Sequence, residues 1–560
     1  MEILEIKNLS FNYPEHETLA LKNINFTVKS GEFNVICGVS GCGKSTLLRL
    51  IKKQLAPFGD ISGEILYNSR PMESLEEKTA ASDIGFILQN PESQIVTDTV
   101  WHELSFGLEN LGTKPKTIRR RVAEMASYFG IEGWFHKKTA ELSGGEKQLL
   151  NLAAVMAMQP KLLLLDEPTA QLDPIAASNF IATLQKLNRE LGLTILMVEH
   201  RLEEVLPIAD NLLLLEGGEI KYFGRPRDII PFFKENPTHP MYEALPAAAR
   251  IYSALEKGGE CPLSVREGRD FIRQNFSNET DSLNFEPYLH SSEKAVELRD
   301  VWFRYEKNSP DVLKNTEFSV YKGEHFCILG GNGTGKSTTL GVIAGLLKAY
   351  SGKVLINGKN PRDYKGNSLY LRNLALLSQN PEIMFLHKTV REDLYESCKI
   401  MNYTNDESEN EILKVSKMLG IEHLLYCHPY DLSGGEQQKA ALAKILLLEP
   451  KILLLDEPTK AIDAASKTVL ANIINDLKEQ SITIITVTHD VEFAAKTADR
   501  CGMFFDGEMT SSATPHEFFS ENNFYTTAAN RISRGYYKNA VLCEQVISLC
   551  KKNSESGVKR

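Results

Sequence analysis

Short, largely apolar runs punctuate the chain, and most of them end on a residue capable of chemistry. The run 35–37 leads into a glycine-rich stretch, 84–88 into Gln89, 162–165 into Asp166 and Glu167, and 194–198 into Glu199 and His200. Runs this short, apolar at nearly every position, are the pattern of strands buried on both faces, as in a parallel sheet covered by helices. The glycine-rich stretch is followed by a helical pattern over 46–51, and Trp101, Leu104 and Leu108 also fall at helical spacing. Residues 1–28 mix charges with short apolar runs and predict strand, turn and strand rather than a signal peptide.

The same succession then returns. Gly38-Val39-Ser40-Gly41-Cys42-Gly43-Lys44-Ser45-Thr46 recurs as Gly330-Gly331-Asn332-Gly333-Thr334-Gly335-Lys336-Ser337-Thr338, with the lysines 292 residues apart. Gln89-Asn90-Pro91-Glu92 recurs at Gln379, Leu142-Ser143-Gly144-Gly145-Glu146 at Leu432, and Leu165-Asp166-Glu167-Pro168-Thr169 at Leu455. Spacings repeat as well: Ser143 and Ser433 each lie 54 residues after the glutamine, and Asp166 and Asp456 lie 23 residues after the serine. A repeat in which elements keep both order and spacing predicts two folded copies. We place them at 1–230 and 295–515, with a partly ordered linker over 231–294 and a tail over 516–560. Within the linker, 242–255 predicts a small apolar helix, followed by a polar run through Asn275, Asn278 and Asp281. In the tail, 528–532 and 540–549 predict helices and the polar run 551–560 predicts disorder.

Composition narrows the setting. A chain of 560 residues exceeds one core and suggests two to four domains. The longest apolar runs, 162–165 and 452–455, are strand-sized, whereas a membrane span needs about 20 apolar residues. Any membrane role therefore goes through partner subunits. The formal net charge of −10 argues against a nonspecific nucleic-acid binder. The nine cysteines show no close Cys-x-x-Cys pair; Cys37 and Cys327 sit in apolar strands, so a reducing compartment is expected.

The glycine-rich loops stand between a strand and a helix, the context that a phosphate-binding loop requires. Glycines free successive backbone amides to face an anion, and the helix N-terminus adds its positive end. Lys44 and Lys336 are then placed to reach the β- and γ-phosphates, and the Ser45 and Ser337 hydroxyls to ligate Mg²⁺. Asp166 and Asp456, each delivered by a buried strand, suit the metal side of the nucleotide. Glu167 and Glu457, one residue on, suit a general base for the attacking water. His200 and His489 follow those glutamates by 33 and 32 residues, so a neighbouring parallel strand brings each imidazole towards the γ-phosphate. Gln89 and Gln379 offer a neutral amide to the metal, the attacking water, or both.

With these motifs the chain resembles the ATP-binding cassette ATPases over nearly its whole length; the Leu-Ser-Gly-Gly-Glu element is the distinctive one. The resemblance implies an α/β fold of two P-loop NTPase cassettes, each with a helical signature subdomain. It implies that Ser143, Gly144 and Gly145 bind nucleotide held by the opposite half, with Ser433, Gly434 and Gly435 reciprocating, so that the halves pair within one chain. It sets Tyr13 and Tyr305 against adenine, and Asp173 and Asp463 in a loop that communicates across the pair. The implied ligand is ATP, contacted by Gly38, Ser40, Gly41, Gly43, Lys44, Ser45 and Thr46 and by Gly330, Asn332, Gly333, Gly335, Lys336, Ser337 and Thr338, with Mg²⁺ at Ser45, Gln89 and Asp166 and at Ser337, Gln379 and Asp456. Lys460-Ala461-Ile462 stands where the first half has Ala170-Gln171-Leu172, a difference that can make the sites unequal.

A narrower resemblance is to energy-coupling factor transporter ATPases, which drive uptake of vitamins and metal ions. It is carried by Gln89-Asn90-Pro91-Glu92-Ser93-Gln94-Ile95-Val96 with Thr99-Val100-Trp101-His102-Glu103-Leu104-Ser105-Phe106-Gly107-Leu108, and by Thr389-Val390-Arg391-Glu392-Asp393-Leu394 in the second copy. It implies an integral membrane scaffold subunit, a substrate-binding membrane subunit, and a peripheral place on the cytoplasmic face of the membrane, with no nucleic acid. A soluble tandem cassette ATPase acting on ribosomes or nucleic acid is the alternative, as is a sugar-importer ATPase. The first lacks its helical basic arm between the domains here, and the second commonly has one altered site.

Overall fold

The computed structural model describes residues 1–14, 18–255, 257–276, 281–283, 285, 288–460 and 462–557. Contacts divide the chain into two units, Met1–Ser264 and Val265–Arg560. In the first, a six-stranded sheet runs in the order Glu219–Gly224, Asn211–Glu216, Phe33–Cys37, Thr194–Val198, Leu162–Asp166, Ile84–Ile87. All neighbours are parallel except Glu219–Gly224. Every residue of Phe33–Cys37, Leu162–Asp166 and Thr194–Val198 is buried, Asn34, Asp166 and Thr194 included, as expected of strands covered on both faces. An antiparallel sheet of Leu21–Lys29, Glu2–Asn12, Asp60–Tyr67 and Arg70–Pro71 covers one side through a core that includes Phe11, Leu47 and Leu164.

The helices Val100–Asn110, Pro115–Tyr128 and Gly144–Ala157 form a lobe with its own core of Leu104, Leu108, Val122, Leu150 and Ala153. The helical spacing of Trp101, Leu104 and Leu108 thus splits in use: the leucines are fully buried, whereas Trp101 is 37% exposed and lies against His102.

The second unit repeats the plan. Its sheet order is Leu374–Leu377, Ile452–Asp456, Thr483–Val487, His325–Leu329, Arg500–Phe505, Glu508–Ala513. The lobe is built from Val390–Ile400, Asn405–Leu419 and Gly434–Leu446.

Residues 231–264 pack with the first unit: Phe233, Met241, Leu245, Ala249 and Leu263 join the core beneath the sheet. The helix Val265–Asn275 belongs to the second unit and packs on Ala528–Ser533, and Asp281–Ser282 pairs in parallel with Tyr537–Lys538. The helix Cys543–Gly557 extends through most of the polar run expected to be disordered. A helix end of low hydrophobicity carries little sequence signal of its own. Residues 15–17, Asn278, Ala461 and 558–560 lie outside the described residues. Among the described residues, no helix is long and apolar enough to cross a membrane.

Candidate functional site

The phosphate-loop geometry in each unit depends on glycine for steric reasons. A Cβ on Gly38 would lie 2.1 Å from the Leu215 carbonyl oxygen, and one on Gly330 would lie 2.3 Å from that of Phe504. Gly43 and Gly335 cap the following helices at φ of 102° and 105°, in the left-handed region. Ser40, Gly41, Asn332 and Gly333 form exposed loop tips, whereas Lys44 and Lys336 are buried behind them. Lys44 Nζ donates to the Gly38 and Val39 carbonyls at 2.9 Å each, and Lys336 Nζ donates to the Gly331 carbonyl at 2.7 Å. Each ammonium is thus held at the mouth of its own loop.

Behind the loops, the Ser45 hydroxyl donates to Asp166 Oδ1 at 2.8 Å, and Ser337 donates to Asp456 Oδ1 at 2.9 Å. Burial pushes both aspartates up to about 6; the serine hydrogen bond opposes the rise and the neighbouring glutamate adds to it. A hydroxyl and a buried carboxylate at hydrogen-bond distance are a hard oxygen donor set of the kind Mg²⁺ takes, and cation binding would relieve the cost of burying the charge. Tyr13 and Tyr305 reach Thr46 and Thr338 with their hydroxyls, at 2.9 and 3.0 Å. Tyr305 is 64% exposed, which leaves its ring face open for stacking.

Glu167 and Glu457 adopt positive φ, 45° and 49°. This conformation costs a non-glycine residue on the order of 1 kcal/mol and is held here by backbone bonds from Glu167 to Val198 and from Glu457 to Val487. The turn aims each carboxylate back over the sheet edge. In the first unit, Glu167 accepts from Gln89 Nε2 at 2.7 Å and lies 2.7 Å from His200 Nε2, so all three predicted residues meet. In the second, His489 Nδ1 lies 2.9 Å from Glu457 Oε2, but Gln379 is exposed and makes no hydrogen bond to Glu457.

Ser143 and Ser433 each sit at the N-terminus of a lobe helix in a capping box with Glu146 and Glu436. Gly144 and Gly434 are exposed beside them, and neither serine bonds to the phosphate loop of its own unit. Asp173 and Asp463 cap the helices that follow them, accepting from Ala176 and Ser466.

Sequence reasoning missed the partners that hold the histidines. Glu199, 1% exposed, accepts the His200 and Arg201 N–H groups and the Thr169 hydroxyl. Three residues past each histidine, Glu203 and Glu492 accept the first N–H of the helices Ala247–Leu255 and Ala528–Ser533, at 2.8 and 3.2 Å. The +3 spacing and the matching Ala247-Ala248 and Ala528-Ala529 were the available signal.

Comparison with known proteins identifies the family. A family model described as ABC transporter matches residues 21–170 and 313–460. A Bacillus anthracis protein named for ABC transporter ATP binding is 40% identical over 557 residues, 98% of each chain. The Bacillus subtilis protein named for HMP/thiamine import ATP binding, YkoD, is 30% identical over 534 residues, 93% of each. A solved structure of cbiO1 from Clostridium perfringens, described as part of the ABC transporter complex cbiONQ, is 34% identical; the match covers 43% of this chain and 96% of that one, with a TM-score of 0.38.

Proposed function

Because the chain belongs to the ABC transporter family and is an ATPase of two cassettes, we propose that it is the energy-coupling subunit of an importer, of the energy-coupling factor type, for a vitamin or metal ion. The observation that carries the catalytic part is the same arrangement built twice. In each unit a loop lysine, a serine–aspartate pair, and a glutamate–histidine pair stand at the ends of adjacent parallel strands.

The loop amides, Lys44 and Lys336 bind the β- and γ-phosphates of ATP. Ser45 with Asp166, and Ser337 with Asp456, hold Mg²⁺, which supplies neutralisation of phosphate charge when bound. Glu167 and Glu457 take a proton from the attacking water, and their fixed backbone turn aims the carboxylate. His200 and His489 orient that carboxylate and face the γ-phosphate. Ser143 to Gly145 and Ser433 to Gly435 stand at helix N-termini with Gly144 and Gly434 exposed, suited to nucleotide bound by the other cassette. That pairing rests on the family's Leu-Ser-Gly-Gly-Glu element.

The import reading is supported by the relative named for HMP/thiamine import, which aligns along 93% of this chain. It is further supported by exposed apolar side chains after each glutamine: Val96 at 66% exposure, Ile383 at 68% and Leu386 at 72%. These suit docking of membrane subunits at the cytoplasmic face. Affinity purification from native membranes tests the proposal. Hydrophobic integral subunits should copurify and hydrolysis should depend on them; recovery wholly with ribosomes, with no membrane protein, sinks it.

A further inference from the structure

We propose that Glu199 is a positioning residue that makes the first ATP site inherently faster than the second, an inference that rests on the catalytic reading of Glu167 and His200. Its carboxylate lies behind the site, not in it. Oε1 accepts the backbone N–H of His200 at 3.0 Å and of Arg201 at 3.1 Å. Oε2 accepts the hydroxyl of Thr169 at 2.7 Å, two residues past Glu167, and Thr169 is itself fully buried. A buried carboxylate is tolerated only when its lone pairs are filled. Filling them fastens the histidine segment to the segment that carries the base.

The second cassette has Thr488 at this position, also fully buried. Its side chain is too short for the same reach. The hydroxyl accepts from the Asp490 N–H at 3.0 Å and stands 3.5 Å from that of Thr459. The His489 N–H, with no carboxylate behind it, turns to Glu457 Oε2 at 3.3 Å, and the ring meets the same oxygen through Nδ1 at 2.9 Å.

The two bases are therefore held differently. Glu167 gives one oxygen to His200 Nε2 and the other to Gln89, so its carboxylate plane is fixed from two sides. Glu457 spends a single oxygen on the backbone and the ring of one residue. A base oriented in advance loses less on reaching the transition state, and small misplacements cost large factors in rate.

The test uses the full chain preloaded with ATP at both sites, with phosphate release followed in a single turnover. The wild type should release phosphate in two phases of equal amplitude. Glu199→Thr should slow the fast phase roughly tenfold or more, with the slow phase and ATP affinity unchanged. Glu199→Gln keeps an acceptor oxygen for both N–H groups and should retain the two phases. Thr488→Glu, made separately, should speed the slow phase, which guards against misfolding of the first variant. A single phase in the wild type, wild-type phases in Glu199→Thr, or a Gln variant as slow as the Thr variant would overturn the proposal. Failure of the underlying reading looks different: Glu167→Gln would then leave both phases as in the wild type.

Discussion

The two cassettes match where phosphate and metal would be held and differ where the histidine is held. Serine–aspartate distances are 2.8 and 2.9 Å, tyrosine–threonine distances are 2.9 and 3.0 Å, and the glutamate φ values are 45° and 49°. One residue before each histidine the match ends, with a buried glutamate in one unit and a buried threonine in the other. The difference teaches that equal motifs need not mean equal sites. Groups that would touch ATP are fixed by ATP's shape, which both units share, whereas groups behind them answer only to local packing.

The largest expected effect asks whether both sites are competent at all. Glu167→Gln and Glu457→Gln keep size and polarity but remove the base. Each should lower hydrolysis at its own site by a factor on the order of 10² to 10⁴ while ATP still binds there. Trapped nucleotide per chain, counted after rapid desalting, checks this. If either variant traps no more nucleotide than the wild type, that site is not a working one and the comparison reduces to a single catalytic cassette.

Much of this was legible in the sequence. The apolar run 162–165 became Leu162–Asp166, and 194–198 became Thr194–Val198, because strands buried on both faces advertise themselves without ambiguity. The site residues were legible because phosphate chemistry restricts which side chains serve. Glu199 was visible as a residue but not as a device, since its role lies in two backbone N–H bonds that almost any sequence could present and a hydroxyl bond from a threonine distant in sequence. The helices after each cassette were hard to place because they are short and their partners are distant in sequence. Val265–Asn275 packs on Ala528–Ser533, and no local pattern reports a contact across nearly half the chain.

A second comparison concerns how each lobe fastens the loop after its glutamine. In the first unit Glu103 accepts from the Val96 N–H and from both the N–H and hydroxyl of Thr97. In the second, Asp393, fully buried, accepts from the Leu386 and His387 N–H groups and from Lys444 Nζ at 2.8 Å. The first unit has Ala154 where the second has Lys444, so a hydroxyl does there what an ammonium does here. Lys444→Ala leaves a buried carboxylate short of its charge partner and should cost the second unit roughly 3 kcal/mol. Thr97→Val removes the hydroxyl that Glu103 and the Thr99 carbonyl share and should cost the first unit about 1 kcal/mol. Hydrogen exchange in the lobe helices of each unit measures both; equal losses would mean that the two fastenings are equivalent.

The smallest expected effect separates the units by acid. The central strand begins with Phe33 in the first unit and His325 in the second, both fully buried at corresponding register. His325 bonds through its ring to Thr497 O and the Thr486 hydroxyl, with Asp499 and Lys478 as its charged neighbours. Burial dominates these influences and lowers its pKa to about 4 from an ordinary 6.5. The unfolded chain therefore takes up a proton at a pH where the folded one refuses it. Stability from this group is complete above 6.5 and is lost as pH falls through the window from 6.5 to about 4. The loss should reach roughly 0.8 kcal/mol at about pH 6. Exchange of the strand His325–Leu329, corrected for intrinsic rates, should rise on acidification relative to Phe33–Cys37, and His325→Phe should remove the excess. If the two strands loosen equally at that pH, the buried imidazole is not what distinguishes them.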